Sequence, residues 1–439
     1  MNPSPRKSPL LQGALASSAI AATAAFYLFA PAWCREVSAA LQDSPKNIVD
    51  EAWQVVNREY VDGTFNQVDW QATRQQLLSK NYKSREQAYT AIRQALEKLG
   101  DPYTRFMDPK QFKSLTNQTS GELSGIGIRL EVNENTKSIS VVEPIENSPA
   151  FKAGIKPGDG LVAINGKATK GMTLEAASAL IRGEVGTPIS LKLSREGKGV
   201  FDITLRRAQI ELPSVRYSLK QEGQLRVGYI RLNEFSSHAP TQMRRAIEAL
   251  NKQNVNGFVL DMRGNPGGLL HASIEIGRMW MESGAIVRTV DRRGDNEEFK
   301  ANHSAITKLP LAVLVDGNSA SASEILSGAL KDNQRATVIG SQTFGKALVQ
   351  SVHSLSDGSG LAVTVAHYYT PNGTDIGHKG VTPDIKIDLS EEQQKQLASN
   401  PALVATKNDP QYARAIAVLG GNQLAKPGAP QQVPSLSSR

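Results

Sequence analysis

Leu311-Ala312-Val313-Leu314-Val315-Asp316-Gly317-Asn318-Ser319-Ala320-Ser321-Ala322-Ser323-Glu324 is the stretch on which the reading of this chain turns. Five apolar residues in a row, closed by Asp and Gly, read as a buried strand. Small residues then make a sharp turn. Beyond it Ile325, Leu326, Ala329 and Leu330 recur at helical spacing. A serine at such a turn is exposed and stands at the positive end of a helix, where a nucleophile and an oxyanion are readily stabilised. Downstream, Thr343-Phe344-Gly345-Lys346-Ala347-Leu348-Val349-Gln350 sets a lysine between a glycine and an apolar run. A Ser–Lys pair is a known variant of the serine-hydrolase nucleophile. Taken alone, the turn reads equally as a small-residue helix start needed for close packing, and Lys346 as a surface lysine.

The chain has 439 residues, room for two or three domains. A hydrophobic fraction of 40% and a charged fraction of 21% are those of an ordinary globular protein. The net charge of +8 allows contact with anionic surfaces, including the approach of a peripheral protein to a membrane. Lys and Arg are scattered, however, so no nucleic-acid surface is expected. Cys34 is the single cysteine and has no internal partner.

Residues 1–39 read as an export signal. Arg6 and Lys7 give the positive start, and Leu10 to Ala32 is nearly all apolar or small. Val37-Ser38-Ala39 offers a small-residue cleavage site, with Ala30-Pro31-Ala32 as a second. The alternative is an uncleaved anchor, for which the stretch is long enough. Trp33 argues against lipidation of Cys34. No later segment is apolar enough to span a bilayer.

Residues 44–118 read as a helical N-terminal domain. Ile48, Ala52, Val55, Val56 and Tyr60 repeat at helical spacing, as do Ala88, Ile92, Ala95, Leu96 and Leu99. Gly100-Asp101-Pro102 ends the second run, and Asp108-Pro109 starts a short turn. Residues 120–208 change to short β-rich runs between glycine turns. Gly125-Ile126-Gly127-Ile128-Arg129-Leu130 is followed by Ile139-Ser140-Val141-Val142, Ser148-Pro149-Ala150-Phe151-Lys152-Ala153-Gly154-Ile155-Lys156-Pro157-Gly158-Asp159 and a hairpin closed by Asn165-Gly166. A helix is expected over about 173–183. This segment resembles a PDZ domain. The resemblance implies that a free chain end adds as a strand to the sheet edge, its carboxylate held by the loop Gly125, Ile126, Gly127 and Ile128. The same glycines also serve tight turns. Where Gly160 stands the family usually has an apolar residue, so that strand is expected to start one residue late.

From 209 to 390 strands and helices alternate as in an α/β core. Leu225–Ile230 and Gly257–Met262 read as strands, with a helix over about 240–252 between them. The second strand runs into Arg263-Gly264-Asn265-Pro266-Gly267-Gly268, a turn able to present backbone N–H groups or simply to connect two elements. Residues 391–439 read as a C-terminal tail, with helical stretches at 394–403 and 410–419 and a disordered end from 421.

Asp261-Met262-Arg263-Gly264-Asn265-Pro266-Gly267-Gly268, Ser321-Ala322-Ser323-Glu324, Asp332-Asn333, Thr343-Phe344-Gly345-Lys346, Gln350-Ser351 and Leu355-Ser356-Asp357-Gly358 occur in that order behind the PDZ pattern. With them the chain resembles the carboxyl-terminal processing (tail-specific) proteases over nearly all of its length after the signal. Trp53, Tyr60-Val61-Asp62 and Asp101-Pro102-Tyr103-Thr104-Arg105-Phe106 fit the branch found in cyanobacteria and chloroplasts. The fold class implied is α/β multidomain: a helical N-terminal region, a PDZ-like β-rich domain and an α/β serine-protease core. The activity implied is an exported endopeptidase, in the periplasm or thylakoid lumen, that trims proteins with free C-terminal tails. The branch implies the precursor of a photosystem II reaction-centre protein as substrate; a general quality-control protease or an adaptor on an inactive core are the alternatives.

By the same resemblance Ser321 is the nucleophile, Lys346 the base and Gln350 the residue that holds the amine. The backbone N–H groups of Gly267 and Ala322 receive the oxyanion, Asp332 is structural near the site, and Arg182 bridges the PDZ domain to the core as a regulatory residue, though Arg182 reads equally as a solvated arginine. Ser319 and Ser323 become turn or packing residues. Gly264 and Ala347 depart from the commoner family residues without removing a reacting group. To accept a proton Lys346 must be neutral, against an ordinary lysine value of about 10.4, so burial must lower it. No metal or cofactor is called for. His238, His271, His303, His353, His367 and His378 stand in no triad motif, and Gly-x-Ser-x-Gly is absent around Ser321.

Overall fold

The computed structural model describes residues 44–133 and 136–424. The stretch read as an export signal, Cys34 and the end of the tail lie outside the described residues. The chain divides into two compact units, and residues 352–363 group with the N-terminal one.

The first unit holds α1 (Pro45–Glu59), α2 (Trp70–Ser79), α3 (Arg85–Glu97) and β1 (Arg105–Met107). The helical periodicities give its core: Ile48, Ala52, Val56, Ala88, Ile92 and Leu96 are all buried. Asp69 and Ser84 cap α2 and α3 through the N–H groups of Ala72 and Gln87. Trp53, Trp70 and Phe65 stack in series, and the Trp53 indole donates to the Trp70 carbonyl at 2.8 Å. β1 pairs antiparallel with residues 360–362, and the Tyr89 hydroxyl donates to Asp357 at 2.5 Å.

At the end of the first unit's N-terminal segment, Asp108-Pro109 starts a helix of 12 residues, α4 (Pro109–Ser120), where a short turn was expected. Proline suits the first helical position, so here it begins a helix rather than a loop. β2 (Glu122–Gly125) then leads into a sheet of β3 (Ile128–Val132), β4 (Ile139–Pro144), β5 (Gly160–Ile164), β6 (Lys167–Ala168), β7 (Pro188–Arg195) and β8 (Gly199–Arg206). Its order is β3-β4-β5-β7-β8 with β6 on β5, which leaves β3 an edge strand. The short α5 (Pro149–Lys152) and the longer α6 (Leu174–Ile181) cover it, around a core of Ile126, Ile139, Val141, Leu161, Ile164 and Leu191. Gly160 does not delay its strand. It is the first residue of β5 and pairs with Ser194, whose hydroxyl occupies the space a side chain would need. β9 (Ala208–Glu211) returns to pair with β2, so one two-stranded ladder closes this domain at both its ends.

The core follows as β10 (Val215–Glu222), β11 (Leu225–Leu232), α7 (Ala239–Asn251), β12 (Gly257–Asp261), α8 (Leu270–Trp280), β13 (Ala285–Asp291), β14 (Asn296–Lys300), β15 (Leu311–Val315), α9 (Ala322–Asp332), β16 (Thr337–Gly340), β17 (Leu348–Ser354), β18 (Gly360–Tyr369), β19 (Ile385–Lys386), α10 (Glu391–Ser399) and α11 (Pro410–Leu424). The main sheet runs β10-β11-β12-β15-β16-β19, parallel from β11 onward. β15 is central and buried on both faces, which is why its sequence is unbroken apolar. Val313 and Val315 face α7, α8 and α9; Ala312 and Leu314 face Tyr412, Ala415 and Leu419 of α11. The stretch set apart as a tail therefore supplies the cover of one sheet face.

Candidate active site

The turn after β15 is pinned from beneath. Ser319 and Ser323 are fully buried; their hydroxyls donate to the carbonyls of Met262 and Asn265 at 2.9 and 3.0 Å. Ala320 N–H donates to Asn265 as well, at 3.0 Å. These bonds bind the serine turn to the 263–268 turn and give Ser319 and Ser323 the packing role expected of them. Ser321 alone rises out of this bed. It is half-buried, caps α9, and holds φ at 53° and ψ at −113°. An L-residue adopts that left-handed backbone at a cost of about 1–3 kcal/mol, so its neighbours must enforce it.

The enforcing residue is Glu324, which sequence reasoning did not single out. Its side chain is fully buried. Oε2 accepts the N–H of Ser321 at 2.8 Å and the N–H of Lys346 at 3.0 Å. Oε1 accepts the Thr343 hydroxyl at 2.6 Å and the Gly345 N–H at 2.7 Å. One carboxylate oxygen thus joins the backbones of the serine and the lysine. The spacing Ser-x-x-Glu at a helix start is a capping-box signature and was the available clue. The Phe344 N–H adds a further tie, to the Ser319 carbonyl at 3.1 Å. Lys346 is half-buried beside fully buried Ala347. Gln350 lies on β17, and its amide nitrogen is buried with no hydrogen-bond partner among the described residues.

Gly267 packs directly on the serine. A Cβ there would lie 3.0 Å from the Ser321 Cβ and 2.7 Å from the Ala320 carbonyl oxygen, and its φ of 101° also requires glycine. Its N–H donates to Asn265 Oδ1 at 2.9 Å. Of the two expected oxyanion donors, then, Gly267 is engaged within its own turn. Ala322, the first residue of α9, has no intrahelical acceptor for its N–H.

The 263–268 turn is anchored behind by a buried ion cluster. Asp261 and Asp409 are fully buried; Arg263 joins them at 2.7 and 2.8 Å, while Arg231 and the Tyr229 hydroxyl reach Asp261 at 3.0 and 2.8 Å. Burial alone would raise the Asp261 pKa, but the charges of Arg263 and Arg231 outweigh it and hold the carboxyl well below its usual value. This cluster too was missed, because Asp409 is remote in sequence.

Asp332 and Arg182 each stand at the C-terminal end of a helix. Asp332 ends α9, about 16 Å along the helix from Ser321 by helical rise, and accepts the N–H of Asn372 at 3.0 Å. It braces a loop and is not near the site. The Arg182 side chain is exposed and makes no hydrogen bond among the described residues. The arginine that engages the end of α6 is Arg207, which donates to the carbonyls of Ile181 and Leu180 at 2.8 and 2.9 Å. The Gly125–Ile128 loop opens edge strand β3 beside that helix end; a Cβ on Gly125 would lie 3.8 Å from the Ile181 carbonyl. Among the described residues no histidine bonds to Ser321; His238 pairs with Glu122, and His353 with Glu59.

The model of peptidase family S41 matches residues 226–387, and that of the PDZ domain residues 140–195. A carboxyl-terminal-processing protease of Synechocystis sp. is 42% identical over 374 residues, 84% of this chain and 86% of its own. The chloroplastic carboxyl-terminal-processing peptidase 2 of Arabidopsis thaliana is 41% identical, over 77% of this chain and 68% of its own. A solved photosystem II D1 C-terminal processing protease is similar with a TM-score of 0.53 at 36% identity, covering 84% of this chain and 99% of that one.

Proposed function

The chain belongs to peptidase family S41, among the carboxyl-terminal-processing serine proteases, and from that membership we propose that it cuts protein tails with a Ser321–Lys346 dyad. The observation that carries the dyad is the Glu324 oxygen shared by the N–H groups of Ser321 and Lys346. In this reading the neutral Lys346 amine takes the Ser321 proton as Oγ attacks the scissile carbonyl. The oxyanion rests on the Ala322 N–H at the positive end of α9. The Gly267 N–H joins it by leaving Asn265. The lysine ammonium then returns its proton to the departing amine, the C-terminal fragment leaves, and water hydrolyses the acyl-enzyme. Gln350 orients the amine through a neutral hydrogen bond, which avoids the charge that a carboxylate would favour.

The tail docks on edge strand β3, its carboxylate at the Gly125–Ile128 loop. The solved relative is named for photosystem II D1 processing, and the precursor of a photosystem II reaction-centre protein is the proposed substrate here. The 1–39 pattern supports action after export, in periplasm or thylakoid lumen.

The test is cleavage of a protein with an apolar, unstructured C-terminal tail. Wild type is expected to cut it, and Ser321→Ala and Lys346→Ala to lose activity by at least about 1,000-fold. Amidating the tail is expected to raise KM. Full activity in Lys346→Ala would refute the lysine base. An inert wild type on every tail would turn the reading toward an adaptor.

A further inference from the structure

Glu324 grips the N–H side of both candidate reacting residues. Their carbonyl side is gripped by a second group. Tyr368, near the end of β18, is 1% exposed, and its N–H donates to the Ala347 carbonyl at 2.9 Å. Its hydroxyl lies against the carbonyl oxygen of Lys346 and 3.2 Å from that of Ser321. A phenol has one proton to give. The Ser321 carbonyl already accepts from Glu324 N–H at 2.8 Å and Ile325 N–H at 3.0 Å, as a helix cap should. The proton therefore belongs to the Lys346 carbonyl, and the phenol oxygen stands as a spacer against Ser321.

From this geometry we propose that Tyr368 is a positioning residue of the dyad: its hydroxyl fixes the separation between the helix that carries the nucleophile and the strand that carries the base. The inference rests on the Ser–Lys reading above. Two side chains would then hold two residues, Glu324 at the N–H groups of both and Tyr368 at the Lys346 carbonyl and against that of Ser321. A lysine amine sits at the end of four rotatable bonds, and only a fixed backbone gives it one approach to the serine oxygen. A displacement of about 1 Å is enough to cost a catalytic group on the order of 100-fold. The ring itself belongs to the buried core with Leu326, Ala347 and Ile376. Removing only the hydroxyl therefore leaves the packing in place.

The experiment compares wild type, Tyr368→Phe, Ser321→Ala and Lys346→Ala on the same tailed protein, reading kcat and KM separately with the thermal midpoint of each. Tyr368→Phe is expected to lower kcat by about 10- to 100-fold, with KM within about twofold and a cooperative unfolding transition retained. 2,3,5-Trifluorotyrosine at 368 keeps the shape but lowers the hydroxyl pKa. It should match wild type while protonated and lose kcat as the phenol ionises and can no longer donate. Wild-type kcat in Tyr368→Phe, or a trifluorotyrosine enzyme whose pH profile superimposes on wild type, overturns the proposal. If Tyr368→Phe does not fold, the trifluorotyrosine profile decides alone. Activity retained in Ser321→Ala or Lys346→Ala would instead remove the dyad itself, an outcome separate from these.

Discussion

Ser321 keeps a left-handed backbone because leaving it would break the bond from its N–H to Glu324. Four donors converge on that carboxylate: two N–H groups on one oxygen, a hydroxyl and an N–H on the other. Glu324→Gln preserves the volume but turns an NH₂ toward donors. We expect it to destabilise the protein by about 1–3 kcal/mol and to lower kcat by about two orders of magnitude. Thermal unfolding and steady-state kinetics read the two effects. A Gln variant with unchanged kcat would show that this carboxylate does not set the dyad. At this scale the sequence was half legible. Ser321 and Lys346 stood out from their settings, and their backbone N–H groups meet at one Glu324 oxygen. Glu324 was hidden because three of its four donors come from 343–346, a loop whose return to the helix start no local pattern encodes.

Elements explain why the serine turn is rigid. β12 ends on Asp261, and the turn that follows carries Gly267 onto Ser321. The ion cluster at Asp261 ties that turn to Arg231 on β11 and, through Arg263, to Asp409 just before α11. Breaking a buried pair by removing one partner costs about 3–5 kcal/mol, so Asp261→Asn is expected to lower the unfolding free energy by that order. The pH dependence has a definite sign. The folded carboxyl titrates below its ordinary value of 3.8. Its contribution is full above that value and fades as pH falls through it toward the depressed folded value. Acid titration of the thermal midpoint should therefore converge for wild type and Asp261→Asn at low pH; parallel curves would contradict the assignment. β15 was legible because a central parallel strand must be apolar throughout. α4 was not, since Asp-Pro serves a turn and a helix start equally well.

Across the whole second unit, the docking domain and the core share one chain path. The β2–β9 ladder brackets the domain, His238 at the cap of α7 pairs with Glu122 at 2.9 Å, and Arg216 on β10 reaches Glu143 on β4 at 2.8 Å. Docking and cutting should still separate kinetically. Arg207 braces the end of α6 beside the loop proposed to take the tail carboxylate, so Arg207→Ala is expected to raise KM for tailed proteins while leaving kcat near the wild-type value. A fall in kcat alone would place Arg207 in the catalytic machinery instead. The domain order was readable from the glycine turns and from the switch between strand and helix periods. The grouping of residues 352–363 with the N-terminal helices was not, because the pairing Arg105↔Ala362 joins segments far apart in sequence. Ser321 should be acylated with Lys346 as its base. The most direct measurement is acid-quenched mass spectrometry of the enzyme after mixing with an activated ester of a tail peptide. A covalent adduct mapped to Ser321 is expected in wild type, and none in Ser321→Ala or Lys346→Ala. An adduct on another residue, or one that forms in Lys346→Ala at the wild-type rate, would contradict it.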